Sequence, residues 1–103
     1  MKTPHILLVV AGLVGASGWV QAQSMDPLQV RSMAASCANC HGTHGIAEAG
    51  NESLAGVNKD ELLKKMLDFK TGKKPATIMH QLSKGYSDEQ LAALASYFSA
   101  LKK

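Results

Sequence analysis

Two cysteines and a histidine lie within five consecutive residues of this chain. The segment is Cys37-Ala38-Asn39-Cys40-His41, and it contains both cysteines of the sequence. Two thiols three positions apart at the end of a helix can each bond to one vinyl group of the same porphyrin. The adjacent imidazole can then bind the iron from one side. The C-x-x-C-H spacing therefore predicts one covalent haem c, attached through Cys37 and Cys40, with His41 as an axial ligand.

The same residue types occur in two other kinds of site, a redox-active C-x-x-C pair and half of a zinc site. A thioredoxin-like pair is expected near a βαβ pattern, and no strand-rich segment stands out in the sequence. A structural zinc site needs four ligands at its own spacings, and beyond the motif only His44 and His80 are candidates. Haem attachment is the better interpretation.

The first 22 residues have the pattern of a secretory signal peptide. Lys2 gives a positive start, residues 6–14 form an apolar run, and Val20 and Ala22 place small residues at cleavage positions. We therefore predict a signal peptide over residues 1–22 that is cleaved after Ala22.

A single membrane anchor is the alternative for this segment. Its apolar part, residues 6–20, has only 15 residues, fewer than the ~20 that a bilayer-spanning helix requires. No basic stop-transfer cluster follows it. The sequence therefore predicts a periplasmic domain over residues 23–103, with no stable membrane anchor after signal cleavage.

The predicted domain is small and nearly balanced in charge. Its 81 residues are few enough that a hydrophobic core alone gives marginal stability, and a covalent haem would supply additional apolar volume. Ten basic residues oppose eight acidic ones, and no basic stripe with interleaved aromatic residues is present. We therefore expect no nucleic-acid partner.

The side-chain periodicity predicts an all-α domain with three main helices around the haem. The first helix begins at Asp26-Pro27, an N-cap residue followed by proline at the first helical position. It runs into the C-x-x-C-H segment and ends at Gly42. Residues 42–57 contain four glycines and are predicted to form a loop over the haem edge.

Capping pairs precede the other two predicted helices. These pairs are Asn58 with Glu61, and Ser87 with Gln90. The first of these helices is predicted to end at Gly72, and the second to run from residue 88 to about residue 102. Their apolar faces are Leu62, Leu63, Met66, Leu67 and Phe69 in one, and Leu91, Leu94, Ala95, Phe98 and Leu101 in the other. Residues 73–86 between them are predicted to be irregular.

An electron carrier needs a second axial ligand on the opposite side of the iron from His41. A methionine sulfur suits this position because a soft, neutral ligand favours ferrous iron and raises the potential. Met79 is the predicted ligand, since an irregular segment can present it to the iron. Met66 lies on a regular apolar face, where methionine more often packs in a core. His80 would point away from the ring in an extended loop, and Met66 and His80 are the alternatives.

These features together resemble the class I c-type cytochromes over about residues 28–101. Two segments are also similar to the cytochrome subunit of flavocytochrome c sulfide dehydrogenase, which takes electrons from a sulfide-oxidising flavoprotein. The segments are C-A-N-C-H-G-T-H-G from Cys37 and T-I-M-H-Q-L-S-K-G-Y-S from Thr77. In that family the histidine of the first and the methionine of the second bind iron, which implies His41 and Met79 here. The resemblance implies a flavoprotein sulfide dehydrogenase subunit, or another redox protein, as partner.

One position departs from the class I pattern. Those cytochromes usually place a proline two residues before the leucine of an L-A-G-like loop, and the proline carbonyl accepts the N–H of the proximal histidine. Here Glu52 occupies that position, followed by Ser53 and Leu54. Because any residue's carbonyl can accept this bond, we expect His41 still to be oriented, by a less rigid loop.

The sequence thus predicts a one-electron carrier, the cytochrome subunit of a sulfide-oxidising flavoprotein, without catalysis of its own. A free soluble monohaem carrier is one alternative, and a haem peroxidase or gas sensor with a labile distal ligand is another. An apolar rim formed by residues 46–55 and 77–80 is expected to face the partner. Seven lysines could steer docking to an acidic partner, although an ordinary solvated surface explains them equally: Lys59, Lys64, Lys65, Lys70, Lys73, Lys74 and Lys84.

Overall fold

The computed structural model describes residues 24–103, which form four α-helices and no β-strand. The helices are α1 (Pro27–His41), α2 (Lys59–Lys70), α3 (Met79–Lys84) and α4 (Asp88–Ser99). The predicted all-α class is confirmed. The predicted signal peptide and its cleavage site lie outside the described residues. None of the helices within residues 24–103 is long and apolar enough to cross a membrane.

The three longer helices begin where their capping residues predict. The Asp26 carboxylate accepts a hydrogen bond from the Leu28 amide at 3.0 Å, and the Asn58 side chain accepts from two amides of α2. Ser87 and Gln90 form a reciprocal capping box at α4, with distances of 3.1 and 2.9 Å. These contacts satisfy amides that otherwise have no partner in the first turn of a helix.

One helix and one helix bound differ from the predictions. The segment predicted as irregular contains α3, which has only 6 residues and no side-chain cap, so neither a capping pattern nor a full apolar period marks it. Helix α4 ends at Ser99, and Ala100 caps it, instead of continuing to about residue 102. No glycine or proline marks this end in the sequence.

The core lies where α4 meets α1 and α2. Helix α2 packs against both α3 and α4, and α1 packs against α4. Eight apolar side chains of the described chain are buried, and three of these belong to alanine: Val30, Ala34, Ala55, Leu62, Leu91, Leu94, Ala95 and Phe98. Small side chains let the helices approach closely but remove little apolar area from water. The core is therefore thin, as expected for a domain of this size.

Candidate haem site

The C-x-x-C-H segment forms the last part of α1, which ends at His41. Both thiols are free; Cys37 is half-buried against the core and Cys40 is exposed. Because residues three apart on a helix are surface neighbours, one flat group can contact both sulfurs. Burial raises the pKa of the Cys37 thiol above its ordinary value. A raised pKa disfavours the thiolate that a redox-active cysteine pair requires.

The chain turns immediately after α1 because Gly42 adopts a φ of +89°. A β-carbon at this position would lie 1.8 Å from the carbonyl oxygen of Ile46. No other residue type fits there unless the backbone moves. The Gly45 amide donates to the Gly42 carbonyl at 2.9 Å and closes the turn. The loop of residues 42–57 begins from this turn.

Backbone hydrogen bonds hold the C-terminal part of this loop, residues 54–56, in place. The Gly45 carbonyl accepts from the amides of Leu54 and Ala55, at 2.7 and 3.0 Å. The Gly56 amide donates to the Phe98 carbonyl at the end of α4, at 3.0 Å. The residues just before Leu54 are thereby brought back to the end of α1.

The His41 imidazole is oriented by the backbone of this loop. Its Nδ1 lies 2.5 Å from the carbonyl oxygen of Glu52. A carbonyl oxygen only accepts, so Nδ1 donates the proton and Nε2 carries the lone pair. Metal-binding histidines are oriented in the same way, by a hydrogen bond from the other ring nitrogen. The expectation that the Glu52 carbonyl orients His41 is confirmed.

The Glu52 side chain is held separately, by α2. Lys65 Nζ donates to Glu52 Oε1 at 2.6 Å, and it lies 3.5 Å from a carboxylate oxygen of Glu61. The hydrogen bond with Glu52 raises the pKa of Lys65, and the charges of Glu52 and Glu61 act in the same direction. This ion pair joins α2 to the loop that carries the acceptor of the His41 proton.

Met79 is the first residue of α3, so the prediction of an irregular segment around it is wrong. Its side chain is half-buried and lies outside the core cluster, whereas Met33 and Met66 pack against that cluster. Met66 therefore has the packing role that its position on an apolar face predicts. Met79 has no such role in the core cluster.

His80 follows Met79 within the same helix, so the premise of an extended loop at His80 is also wrong. Successive residues of an α-helix point about 100° apart, and His80 is half-buried. Its Nδ1 is buried without a hydrogen-bond partner, as is the hydroxyl of Ser83 one turn later. Met79 and His80 thus have clearly different directions and surroundings.

A second lysine of α2, Lys70, binds the segment that follows α3. Lys70 Nζ donates to the Tyr86 carbonyl at 2.7 Å and to the Asp88 carboxylate at 2.8 Å. The Tyr86 hydroxyl lies 2.8 Å from the hydroxyl of Ser36, on α1. These contacts tie the end of α3 to α1, which carries the cysteines.

The segments beside Met79 and His41 also expose large apolar side chains. Ile46, in the loop after the motif, is 54% exposed, and Ile78, directly before Met79, is 55% exposed. Leu82 is exposed on the next turn of α3. An apolar macrocycle can cover such side chains, and the two thiols and the oriented imidazole supply its attachment points. The residues present therefore fit a haem c.

Comparison with known proteins settles the family. The sequence pattern of the family described as cytochrome c matches residues 30–102. The chain belongs to the cytochrome c family. Its cofactor is a covalently bound haem c, consistent with the C-x-x-C-H segment.

Three curated relatives illustrate the range of similar proteins. The cytochrome subunit of sulfide dehydrogenase from Chlorobaculum tepidum is 37% identical over 66% of this chain and 62% of its own length. Cytochrome c4 from Pseudomonas aeruginosa is 37% identical over 94% of this chain but only 45% of its own length. Cytochrome c-553 from Helicobacter pylori is 35% identical over 79% of this chain and 86% of its own length. The predicted resemblance to a sulfide dehydrogenase cytochrome subunit is confirmed.

A solved structure shares the fold. Reduced recombinant cytochrome c4 from Pseudomonas stutzeri superimposes with a TM-score of 0.61 at 28% identity. The match covers 64% of this chain and 38% of that chain. This chain thus spans less than two thirds of the length of that protein and of the first two relatives.

Sequence reasoning missed the structural roles of two lysines. The sequence suggests only a docking surface or an ordinary solvated surface for Lys65 and Lys70, yet each holds an ion pair with a residue of another segment. Lys64 is also paired, with Asp68 on the same helix. The i,i+4 spacing could have revealed the Lys64 pair, but no local pattern indicates the other two.

Proposed function

We propose that Cys37 and Cys40 form the thioether bonds to a single haem c, that His41 and Met79 are the axial ligands of its iron, and that the protein works in the periplasm after export. The haem supplies one-electron redox chemistry when bound. The hydrogen bond from His41 to the Glu52 carbonyl carries the proposal, because it directs the lone pair of Nε2 away from the loop.

Two axial residues suit electron transfer better than catalysis. Met79 at the second axial position would keep small molecules off the iron, which disfavours a peroxidase or gas sensor. A thioether has no proton to exchange, so a change in oxidation state requires no proton movement at this side chain. The role of the chain is then to hold both ligands and to exclude water from them.

We further propose that the electron donor is a sulfide-oxidising flavoprotein. Similarity to the Chlorobaculum tepidum cytochrome subunit of sulfide dehydrogenase supports this assignment. The parts of the Ile46 and Ile78 side chains that a bound haem leaves uncovered would form an apolar rim, of the kind found in the buried centre of a stable interface. Such an interface buries about 1,200–2,000 Å² in total.

A free carrier is the second candidate. It is favoured by the match to Helicobacter pylori cytochrome c-553, which includes 86% of that protein's length. A free carrier binds its partners weakly, through charged side chains whose attraction is weakened by salt. Exposed lysines such as Lys59 and Lys84 would serve that purpose.

Recovery of the tagged, haem-loaded protein from its native periplasm tests the partner. A flavoprotein should copurify at moderate salt, and sulfide should reduce the haem of the complex. Ile46→Lys should weaken the complex, whereas Leu28→Lys, which changes an exposed leucine at the start of α1, should not. Recovery of the cytochrome alone, even at low salt, would reject the subunit role and favour the free carrier.

A further inference from the structure

We infer that Lys65 is a positioning residue for the proximal ligand: by holding the Glu52 side chain, it fixes the backbone carbonyl that orients the His41 imidazole. The inference rests on the proposed ligation of iron by His41. It assigns to an α2 lysine the restraint that a proline ring gives in similar cytochromes.

The acceptor carbonyl lies in an exposed part of the loop that two hydrogen bonds hold from within. The Asn51 amide donates to the Glu48 carbonyl at 3.2 Å, and the Ala47 amide donates to the Ser53 hydroxyl at 2.9 Å. Residues 48–53 are all exposed, and Gly50 has a φ of +97° with nothing within 4 Å of its β-position. A proline would restrict the backbone at this point, because its ring fixes φ near −65°. Glutamate has no such ring. Neither of these hydrogen bonds involves the Glu52 side chain, so a contact from outside the loop can add to the restraint on its carbonyl.

Lys65 supplies this contact from a well-supported helix. Its neighbours on α2 include Leu62, which is buried, and Met66, which packs against the core. The Lys65 side chain is 28% exposed, so most of its stem is covered, and its ammonium lies 2.6 Å from Glu52 Oε1. The second carboxylate, that of Glu61 at 3.5 Å, keeps the ammonium near this position. Movement of the Glu52 side chain is thereby limited, and with it movement of the Glu52 carbonyl.

Solvent exchange of the His41 Nδ1 proton measures this restraint directly. It can be followed by NMR on the reduced, haem-loaded protein with ¹⁵N-labelled histidine. We expect Lys65→Leu and Glu52→Leu each to raise the exchange rate about two- to fivefold, the range that corresponds to loss of a partly exposed ion pair. Lys65→Arg keeps the positive charge on a side chain of similar length. In this variant the His41 Nδ1 proton should exchange at the same rate as in the unaltered protein.

A matched control and a double variant distinguish positioning of the Glu52 carbonyl from a general effect of removing a lysine charge or of destabilising the fold. Lys64→Leu removes the same charge from the adjacent position of α2, where Lys64 pairs with Asp68, and should leave the exchange rate unchanged. The double variant Lys65→Leu with Glu52→Leu should exchange no faster than either single variant, because both remove the same contact. The Leu94 amide in the core should exchange at an unchanged rate in all of them.

Three results would overturn the inference. They are an unchanged Nδ1 exchange rate in Lys65→Leu or in Glu52→Leu, an equal increase in Lys64→Leu, and an equal increase at the Leu94 amide. Failure of the proposed ligation is a separate outcome. It would appear in the unaltered protein, as a spectrum without histidine–methionine coordination.

Discussion

At the scale of single residues, the proximal hydrogen bond is notable because its acceptor is backbone. His41 donates to the Glu52 carbonyl, which every residue type possesses. A substitution at position 52 therefore cannot remove the acceptor; it can only change how firmly the acceptor is held. This explains how glutamate serves where similar cytochromes have proline, provided that a contact such as the one with Lys65 restrains the loop.

The distal ligand gives the first prediction. Met79→Ala should remove the weak far-red absorption band of a ferric iron–thioether bond, lower the reduction potential and let carbon monoxide bind the ferrous protein, because the soft sulfur ligand is lost. Absorption spectroscopy and potentiometry measure all three changes. Met66→Ala is the control, since Met66 packs against the core. It should lower stability by about 0.5–3 kcal/mol, because the side chain is only partly buried, and it should keep the band.

The opposite pattern would assign the distal ligand to Met66. Loss of the band in both variants would indicate that Met66→Ala disturbs the fold around Met79. A comparison of the two variants at a temperature well below the unfolding transition of both separates these cases.

The turn after α1 gives the second prediction. Gly42 and Gly50 both have positive φ angles, but only a β-carbon at Gly42 meets backbone atoms within 4 Å. Gly50→Ala should cost about 1–2 kcal/mol of unfolding free energy from the backbone conformation alone. Gly42→Ala should cost clearly more, because the Ile46 carbonyl must move as well. Denaturant unfolding of the haem-loaded variants measures the difference, and equal costs would show that the turn relaxes freely.

At the scale of elements, the helices that begin with a side-chain cap could be predicted from the sequence, and the helix without one could not. The starts of α1, α2 and α4 follow from capping residues that act within three positions of each other. Helix α3 has six residues and no side-chain cap, so its stability comes from packing against α2. Packing between segments that are distant in the sequence does not produce a recognisable apolar period within six residues.

The same distinction applies to the site. The spacing of the thiols and the histidine is local, and the haem c cofactor that it predicts is confirmed by the family. The residue whose carbonyl accepts from His41 could also be predicted, because the class I pattern places it two residues before Leu54. The ion pairs of Lys65 and Lys70 join residues 13 and 18 positions apart. Which lysine meets which acid depends on how the helices pack.

The Lys64–Asp68 pair of α2 gives the third prediction. The hydrogen bond from Lys64 lowers the pKa of Asp68 below its ordinary 3.8. A lowered pKa in the folded protein stabilises it above pH 3.8, and this stabilisation is lost as the pH falls through the folded-state pKa. Asp68→Asn should therefore lower the melting temperature at pH 7 but have less effect near pH 3. An equal decrease at both pH values would mean that the charge of Asp68 does not contribute.

At the scale of the whole molecule, the thin core makes stability depend on the cofactor. Eight buried apolar side chains, three of them alanine, provide little hydrophobic stabilisation for a domain of this length. A covalently attached haem adds apolar area that cannot dissociate. We expect the haem-loaded and haem-free proteins to differ far more in stability than single substitutions do.

Covalent attachment gives the fourth prediction. Cys37→Ser combined with Cys40→Ser should release the haem on acid–acetone extraction and should unfold at a much lower temperature than the parent. Either single variant should retain haem through one thioether bond, and so provides the control. Retention of haem through extraction by the double variant would contradict the assignment of the two cysteines.

Helix α2 is the element shared by both sides of the site. Lys65 restrains the loop that orients His41, and Lys70 holds the chain that follows α3, which begins with Met79. Packed elements move as units and transmit strain, so the positions of the two candidate ligands should fluctuate together. With a haem bound through these two side chains, correlated motion would keep the distance between them nearly constant during oxidation and reduction. We therefore expect a low reorganisation energy, which would permit fast electron exchange with a weak driving force.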